Sequence, residues 1–280
     1  MEMIPLWEDQ INSDAWIKHC DFAFDEYNDP YVSQFDIQRF HNKNGLAERG
    51  TIFCGTTQSI HRCLSSINEK GNYILITRDI DIRITQDIFD SRPKSIKHWF
   101  AINCQIKHPG ITAIPYGCNS ILGFSENLKI IFETVERNDP NNKIFCRINI
   151  PNELPYDHER HKCIQQLINN PKATVILKQI SALEMFTEMR KHIFVAAPIG
   201  VGDDCLRMCE SIIMGAIPVL TDCPTTRQFE DLPVAYTTDW NITEDWCMEQ
   251  REIVKDKSTE RIRMSYWANQ LKNKKLEYGL

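Results

Sequence analysis

The sequence predicts an α/β protein of two domains, each a sheet of parallel strands layered with helices. Three stretches carry that prediction. Residues 191–220 read as strand, glycine loop, helix, strand; residues 50–77 read as strand, helix, strand; and the polar tract ERNDPNN at 136–142 separates them as a linker. Strands joined through crossover helices run in one direction, so such alternation builds a parallel sheet.

In the stretch 191–220, Ile193 to Ala197 is an apolar run bounded by Pro198 and Gly200, which suits a buried strand. Asp203 or Asp204 is placed to cap the helix that follows, because a carboxylate accepts from free first-turn amides. Leu206, Cys209, Ile212 and Ile213 repeat at helical spacing and mark the buried face. Gly215 ends the helix where a left-handed residue is needed, and Ala216 to Leu220 is the next strand. Gly200 and Gly202 let the backbone approach a ligand, and the helix start offers unpaired amides with a partial positive charge. Arg207 and Glu210 share one side of the helix, roughly opposite the core stripe. A cation beside a diphosphate, and a carboxylate one turn deeper accepting from two sugar hydroxyls, would assemble a nucleotide-sugar site. A plain surface ion pair has the same spacing, and the third glycine of a dinucleotide fingerprint is absent.

From the beginning of the chain, residues 1–48 are aromatic and acidic with little period, and read as short helices and loops. Strand TIFCG, helix TQSIHRCLSSINEK and strand NYILIT follow. The last ends in Arg78, Asp79, Ile80 and Asp81, beyond a carboxyl strand end, where ligands gather in open α/β sheets. Either acid could instead cap a turn. Trp99 and Phe100 read as core, His98 and His108 as structural or surface histidines, and Ile111 to Ile114 as a strand turned by Pro115, Tyr116 and Gly117. The hinge is expected between 119 and 142. A strand over 144–150, an amphipathic helix over 158–167, a strand over 174–177, a last strand over 233–236 and charged helical sequence over 241–276 complete the second half. The domains expected are 1–125 and 140–255, with 256–280 a terminal helix. No internal repeat is apparent.

A chain of 280 residues with 42% hydrophobic content can bury sizeable cores. Its net charge of −6, without an obvious basic patch, argues against a nucleic-acid partner. Residues 1–16 lack the pattern of a signal peptide, and no run approaches the length of a membrane span. Eleven cysteines without C-x-x-C spacing read as reduced thiols, so a soluble cytoplasmic protein is expected. No His/Asp cluster has metal-ligand spacing, so no metal site is expected.

The run P-x-G-x-G-x-D-C-x-R-x-x-E, formed by Pro198, Gly200, Gly202, Asp204, Cys205, Arg207 and Glu210, resembles the donor-binding half of exostosin-type glycosyltransferases. Gly215, Pro218, the D-L-P at 231–233, and Asp239 with Trp240 extend the resemblance over about fifty residues. The family often has His where Leu206 stands. The resemblance implies a GT-B architecture, two Rossmann-like domains facing each other across a cleft, and an inverting transferase moving a sugar from a UDP-sugar to a hydroxyl of a glycan acceptor. UDP-xylose is one candidate donor. It implies donor contacts from the seven residues of the run, with Arg147 and the neighbouring Asn149, Glu159 and Arg160 near the diphosphate. Arg78, Asn103 and Tyr116 fall on the acceptor side, and Asp79 or Asp81 is the base, with Arg207 and the helix amides stabilising the leaving diphosphate. No metal or other cofactor is obligatory in that scheme. A non-catalytic nucleotide-sugar-binding module remains the alternative. A nicotinamide oxidoreductase would want its glycine loop in an early βαβ unit.

Overall fold

The computed structural model describes residues 5, 6, 8–24, 34–55, 60–79, 81–118, 124–136, 143–150, 155 and 157–280. The chain forms an α/β protein with two parallel sheets, and it divides into two compact units. One comprises residues 11–116 with 263–280, the other 1–10 with 117–262.

The first unit holds α1 (Ser13–Ile17), β1 (Phe22–Phe24), β2 (Gln38–Phe40), β3 (Arg49–Cys54), α2 (Ile60–Ser66), β4 (Asn72–Thr77), α3 (Gln86–Asp90), β5 (Ile96–Ala101) and β6 (Ile111–Ala113). The six strands lie in the order β2-β1-β3-β4-β5-β6, each pair parallel. In β4, Tyr73, Ile74, Leu75 and Ile76 are all fully buried, so the strand reads as a continuous apolar run rather than an alternation. β1 and β2 correct the expectation of helices and loops before residue 48. They are three residues long, too short for a period, and only pairing makes them strands, β2 to β1 and β1 to β3. The helix expected over 57–70 is observed over Ile60–Ser66, with 56–59 outside the described residues.

The second unit holds α4 (Phe124–Thr134), β7 (Ile144–Cys146), α5 (Glu159–Leu167), β8 (Ala173–Val175), α6 (Ala182–Lys191), β9 (Phe194–Ala197), α7 (Leu206–Ile213), β10 (Ile217–Thr221), β11 (Ala235–Thr237) and α8 (Glu244–Val254). Its five strands run parallel in the order β11-β10-β9-β7-β8. Within the expected hinge, α4 is a helix, while 137–142 of the linker tract lie outside the described residues. The strand expected over 144–150 ends at Cys146. α6 went unread, although Ser181 and Glu184 form a complete capping box at its start. Gly215 is left-handed, with φ 79°, directly after α7.

The last helix, α9 (Met264–Tyr278), belongs to the first unit. Its Trp267 ring lies 6.4 Å from both Trp16 and Phe100, and its buried side chains Met264, Trp267 and Leu271 recur every three to four residues. That stripe is too narrow to stand out among the lysines of the helix.

Candidate functional site

Among the described residues, three non-glycines have left-handed backbone: Asp79 (φ 52°), Asn103 (φ 51°) and Trp240 (φ 58°). Each lies two or three residues beyond the carboxyl end of a parallel strand, β4, β5 and β11 respectively. Such backbone is costly for a side-chain-bearing residue and clusters at functional sites. The carboxyl edge of each sheet is therefore a candidate site, and each is described by itself.

In the five-stranded unit the loop after β9 turns on itself, Gly200 N donating to Gly202 O at 2.9 Å. The amino end of α5 clasps it. His158 caps α5 by accepting from Arg160 N at its Nδ1, so its Nε2 carries the proton and donates to Gly200 O at 3.1 Å. Arg160 donates through Nη1 to Asn149 O at 2.8 Å, and its guanidinium covers Gly200. A Cβ on Gly200 would collide with that guanidinium and lie 3.0 Å from its Cζ. Gly200 is thus required by a neighbouring arginine, which the sequence reading left to a ligand. His158 was not anticipated; nothing in its local sequence marks it. The indole of Trp240 donates to Glu159 on the same turn, at 3.4 Å.

Neither Asp203 nor Asp204 caps α7, against expectation. The N-cap is Cys205; Asp204 Oδ1 accepts from Cys205 N at 2.7 Å, and Asp203 Oδ2 accepts from Thr225 Oγ1 at 2.8 Å. Burial pushes the Cys205 thiol up to about 11, with Asp204 adding to the rise, while Arg207 and the amides of Arg207 and Met208 pull the other way. Those amides face a neutral sulfur.

Arg207 and Glu210 pair as their spacing implies, Nη1 to Oε2 at 3.2 Å, but they are not opposite the core. Glu210 is 4% exposed, Met208 and Ser211 are buried too, and Leu206 is only half-buried. The Arg207 guanidinium lies on Met185, with Nη1 2.9 Å from its sulfur, and its side chain stays 20% exposed. Burial raises the Glu210 pKa, and Arg207 opposes the rise. Pro198 is buried at the end of β9, and Arg147 follows β7, the adjacent strand, half-buried.

In the six-stranded unit, Arg78 is 1% exposed. It donates to Pro115 O at 3.1 Å, to Tyr116 O and to Ser13 Oγ, and its Cζ sits 5.7 Å from the Tyr116 ring centroid. This ties the ends of β4 and β6 together. Ser13 in turn donates to Asp79 Oδ2. Asp79 and Asp81 are half-buried, and Asp79's left-handed turn separates them. Asn103, expected to face a cleft, is buried, its carbonyl accepting from Ile84 N at 2.9 Å. Ser13 was missed, since its partners are more than sixty residues away.

Gly200→Ala is expected to dislodge Arg160 and lower stability by about 1–2 kcal/mol, the scale of a local overpacking. Arg160→Ala should relieve that cost, and urea unfolding of the double variant checks it. A Gly200→Ala variant as stable as the native chain would show that Arg160 does not hold this position.

All eleven cysteines are free thiols, and no helix among the described residues is long and apolar enough to cross a membrane. No protein-family model matches the chain, and no curated protein does. The likeness to exostosin-type transferases therefore stands on the residues quoted above.

Proposed function

We propose that the chain is an inverting glycosyltransferase of GT-B architecture. In this reading the carboxyl edge of the five-stranded sheet holds a UDP-sugar, and the six-stranded unit receives a glycan hydroxyl. The observation that carries it is the glycine loop after β9 leading into a helix with a buried Arg207–Glu210 pair, flanked by Arg147 and Arg160 at the same sheet edge. Fixed guanidinium groups and amides suit a diphosphate that gains charge as it leaves, and Glu210 suits ribose hydroxyls. Asp79, positioned by Ser13, takes the acceptor proton while the oxygen attacks the anomeric carbon. No step in that displacement needs a metal or a second cofactor. The free thiols suit a cytosolic setting.

Thermal unfolding with a panel of nucleotide sugars tests donor binding, since a ligand at a hundred times its Kd stabilises by about 2.7 kcal/mol. UDP-sugars, UDP-xylose among them, should raise the midpoint; no shift with any UDP-sugar would remove the reading. Asp79→Asn should then leave donor affinity within about threefold and cut transfer by about 10²-fold, with Asp81→Asn as comparison. If neither loses transfer, the base is elsewhere.

A second reading, a nucleotide-sugar-binding module without catalysis, is favoured by the burial of Arg78 and Asn103. It leaves Asp79, Asp81 and Tyr116 as the partly accessible members of the acceptor-side set. Donor protection without transfer or donor hydrolysis would select it.

A further inference from the structure

The five-stranded unit has a cavity of about 490 Å³ at the amino-terminal edge of its sheet, the edge opposite the glycine loop. It opens where β9 and β10 begin and where the chain approaches β11. Its floor is apolar, made by Ile193, Ile212, Ile217, Pro233 and Val254. Its rim carries Arg251, Lys255 and Lys257, from the end of α8 and the turn after it, with the Thr259 hydroxyl. Among the described residues no acidic side chain lines it. The charged side chains of the lining are thus all cationic, over an apolar floor.

A helix carboxyl end attracts cations, and α7 ends at this cavity. Four of the carbonyls over residues 210–214 are already bonded, however. Glu210 O accepts from Met214 N at 3.0 Å, Ser211 O from Ala216 N at 2.8 Å, Ile212 O from Gly215 N at 2.9 Å and Met214 O from Arg190 Nη1 at 3.1 Å. The rim cations are not there to close the helix. Lys255 pairs with Glu252 on the exposed side of α8, an arrangement worth little in water. Lys257 is half-buried; burial lowers its ammonium pKa, with Arg227 adding to the fall, although Glu230 and Asp231 oppose it. An anion in the cavity would restore the stabilisation that water gives an exposed lysine.

We propose that this cavity binds a small amphipathic anion, an apolar body with one terminal carboxylate or phosphate. The apolar body lies on the isoleucine floor, and the anion meets Arg251, Lys257 and Thr259. The volume falls in the range of small-ligand sites, and the lining has their make-up, mostly apolar with a few convergent polar groups. The five residues of β10 separate it from the glycine loop by roughly 15 Å at about 3.3 Å per residue, so its occupant does not compete with a ligand there.

The test is titration calorimetry of the full chain with hexanoate and hexyl phosphate, against hexylammonium, propionate and inorganic phosphate. Both hexyl anions should bind, and hexanoate should bind at least about fivefold tighter than propionate, because each buried methylene adds affinity. Lys257→Met and Arg251→Met should each weaken binding by about three- to tenfold, and UDP affinity should not change. Ala216→Leu should fill the cavity and abolish binding, but it alters a packed position, so the two rim variants decide the matter. Hexylammonium binding as well as the anions, both rim variants retaining full affinity, or no binding of either hexyl anion at millimolar concentration would each overturn the proposal. Binding by only one of the two hexyl anions upholds it and names the headgroup.

Discussion

Arg207→Ala is expected to destabilise the protein by about 3–5 kcal/mol at pH 8, the cost of leaving a buried carboxylate without its partner. Glu210 is almost fully buried, Arg207 lies 3.2 Å from it, and α7 is covered over most of its circumference. Burial already raises the Glu210 pKa, and Arg207 is the group that holds it down. Without the guanidinium the carboxyl takes up a proton more readily, so the penalty should shrink at pH 5. The sign follows from linkage. A carboxyl with a raised folded pKa stabilises the fold fully below its unfolded value, and that contribution is lost as pH rises through the folded pKa. Arg207→Met, which keeps the stem against Met185, should lose less. Adding Glu210→Gln to Arg207→Met should recover about 1–3 kcal/mol, the range of coupling between contacting residues. Urea unfolding at both pH values measures this. If Arg207→Ala costs under 1 kcal/mol at pH 8 with no pH dependence, the pair is not the buried unit described here.

That expectation changes how the proposed donor site must be probed. Loss of UDP binding in Arg207→Ala is ambiguous when the fold itself is weakened. Glu210→Gln is the cleaner variant, since it keeps shape and one acceptor oxygen while removing the buried charge. The expectation that both residues lie roughly opposite the core stripe came from helical spacing, which fixes which side they share and not what covers that side. Met185 and Met189 cover it, and they belong to α6, some twenty residues earlier.

The same division runs through the rest of the chain. β4 was legible because a doubly covered strand needs apolar residues at every position, and Tyr73 to Ile76 supply them. The end of α7 was legible because Gly215 takes a backbone conformation that other residues avoid. β1 and β2 were not, since three residues carry no period and their pairing partners are distant in sequence. Gly200 was recognised as a close-approach position, but the group that approaches, Arg160, is forty residues away. The same distance hid Ser13 beside Asp79. Local patterns reveal elements and their ends, whereas the identity of the neighbour at a site is a tertiary fact. The left-handed residues Asp79, Asn103 and Trp240 belong to the second kind, for nothing in their types demands φ above zero.

His98 should make the six-stranded unit lose about 3 kcal/mol of stability between pH 7.5 and pH 4. Its ring is 1% exposed, with Nε2 2.8 Å from Thr112 Oγ1 and Nδ1 buried without a hydrogen-bond partner. Phe100 meets it edge-on at 4.9 Å, and Tyr278 stacks at 6.4 Å. Burial lowers its pKa from 6.5 to about 4; Lys274 adds to the fall, and Glu277 opposes it. The unfolded chain therefore binds a proton through this range that the folded chain refuses. Stability is complete above 6.5 and falls with pH until about 4, at about 1.4 kcal/mol per pH unit. Glu210 acts in the opposite sense, so the whole-protein profile mixes the two, and the difference between native chain and His98→Gln isolates the histidine. Glutamine can still reach Thr112 but does not titrate. The variant should be less stable at pH 7.5, through lost ring packing, yet its unfolding free energy should fall less steeply toward pH 4. Parallel profiles for the two proteins would mean that His98 becomes protonated in the folded state without penalty.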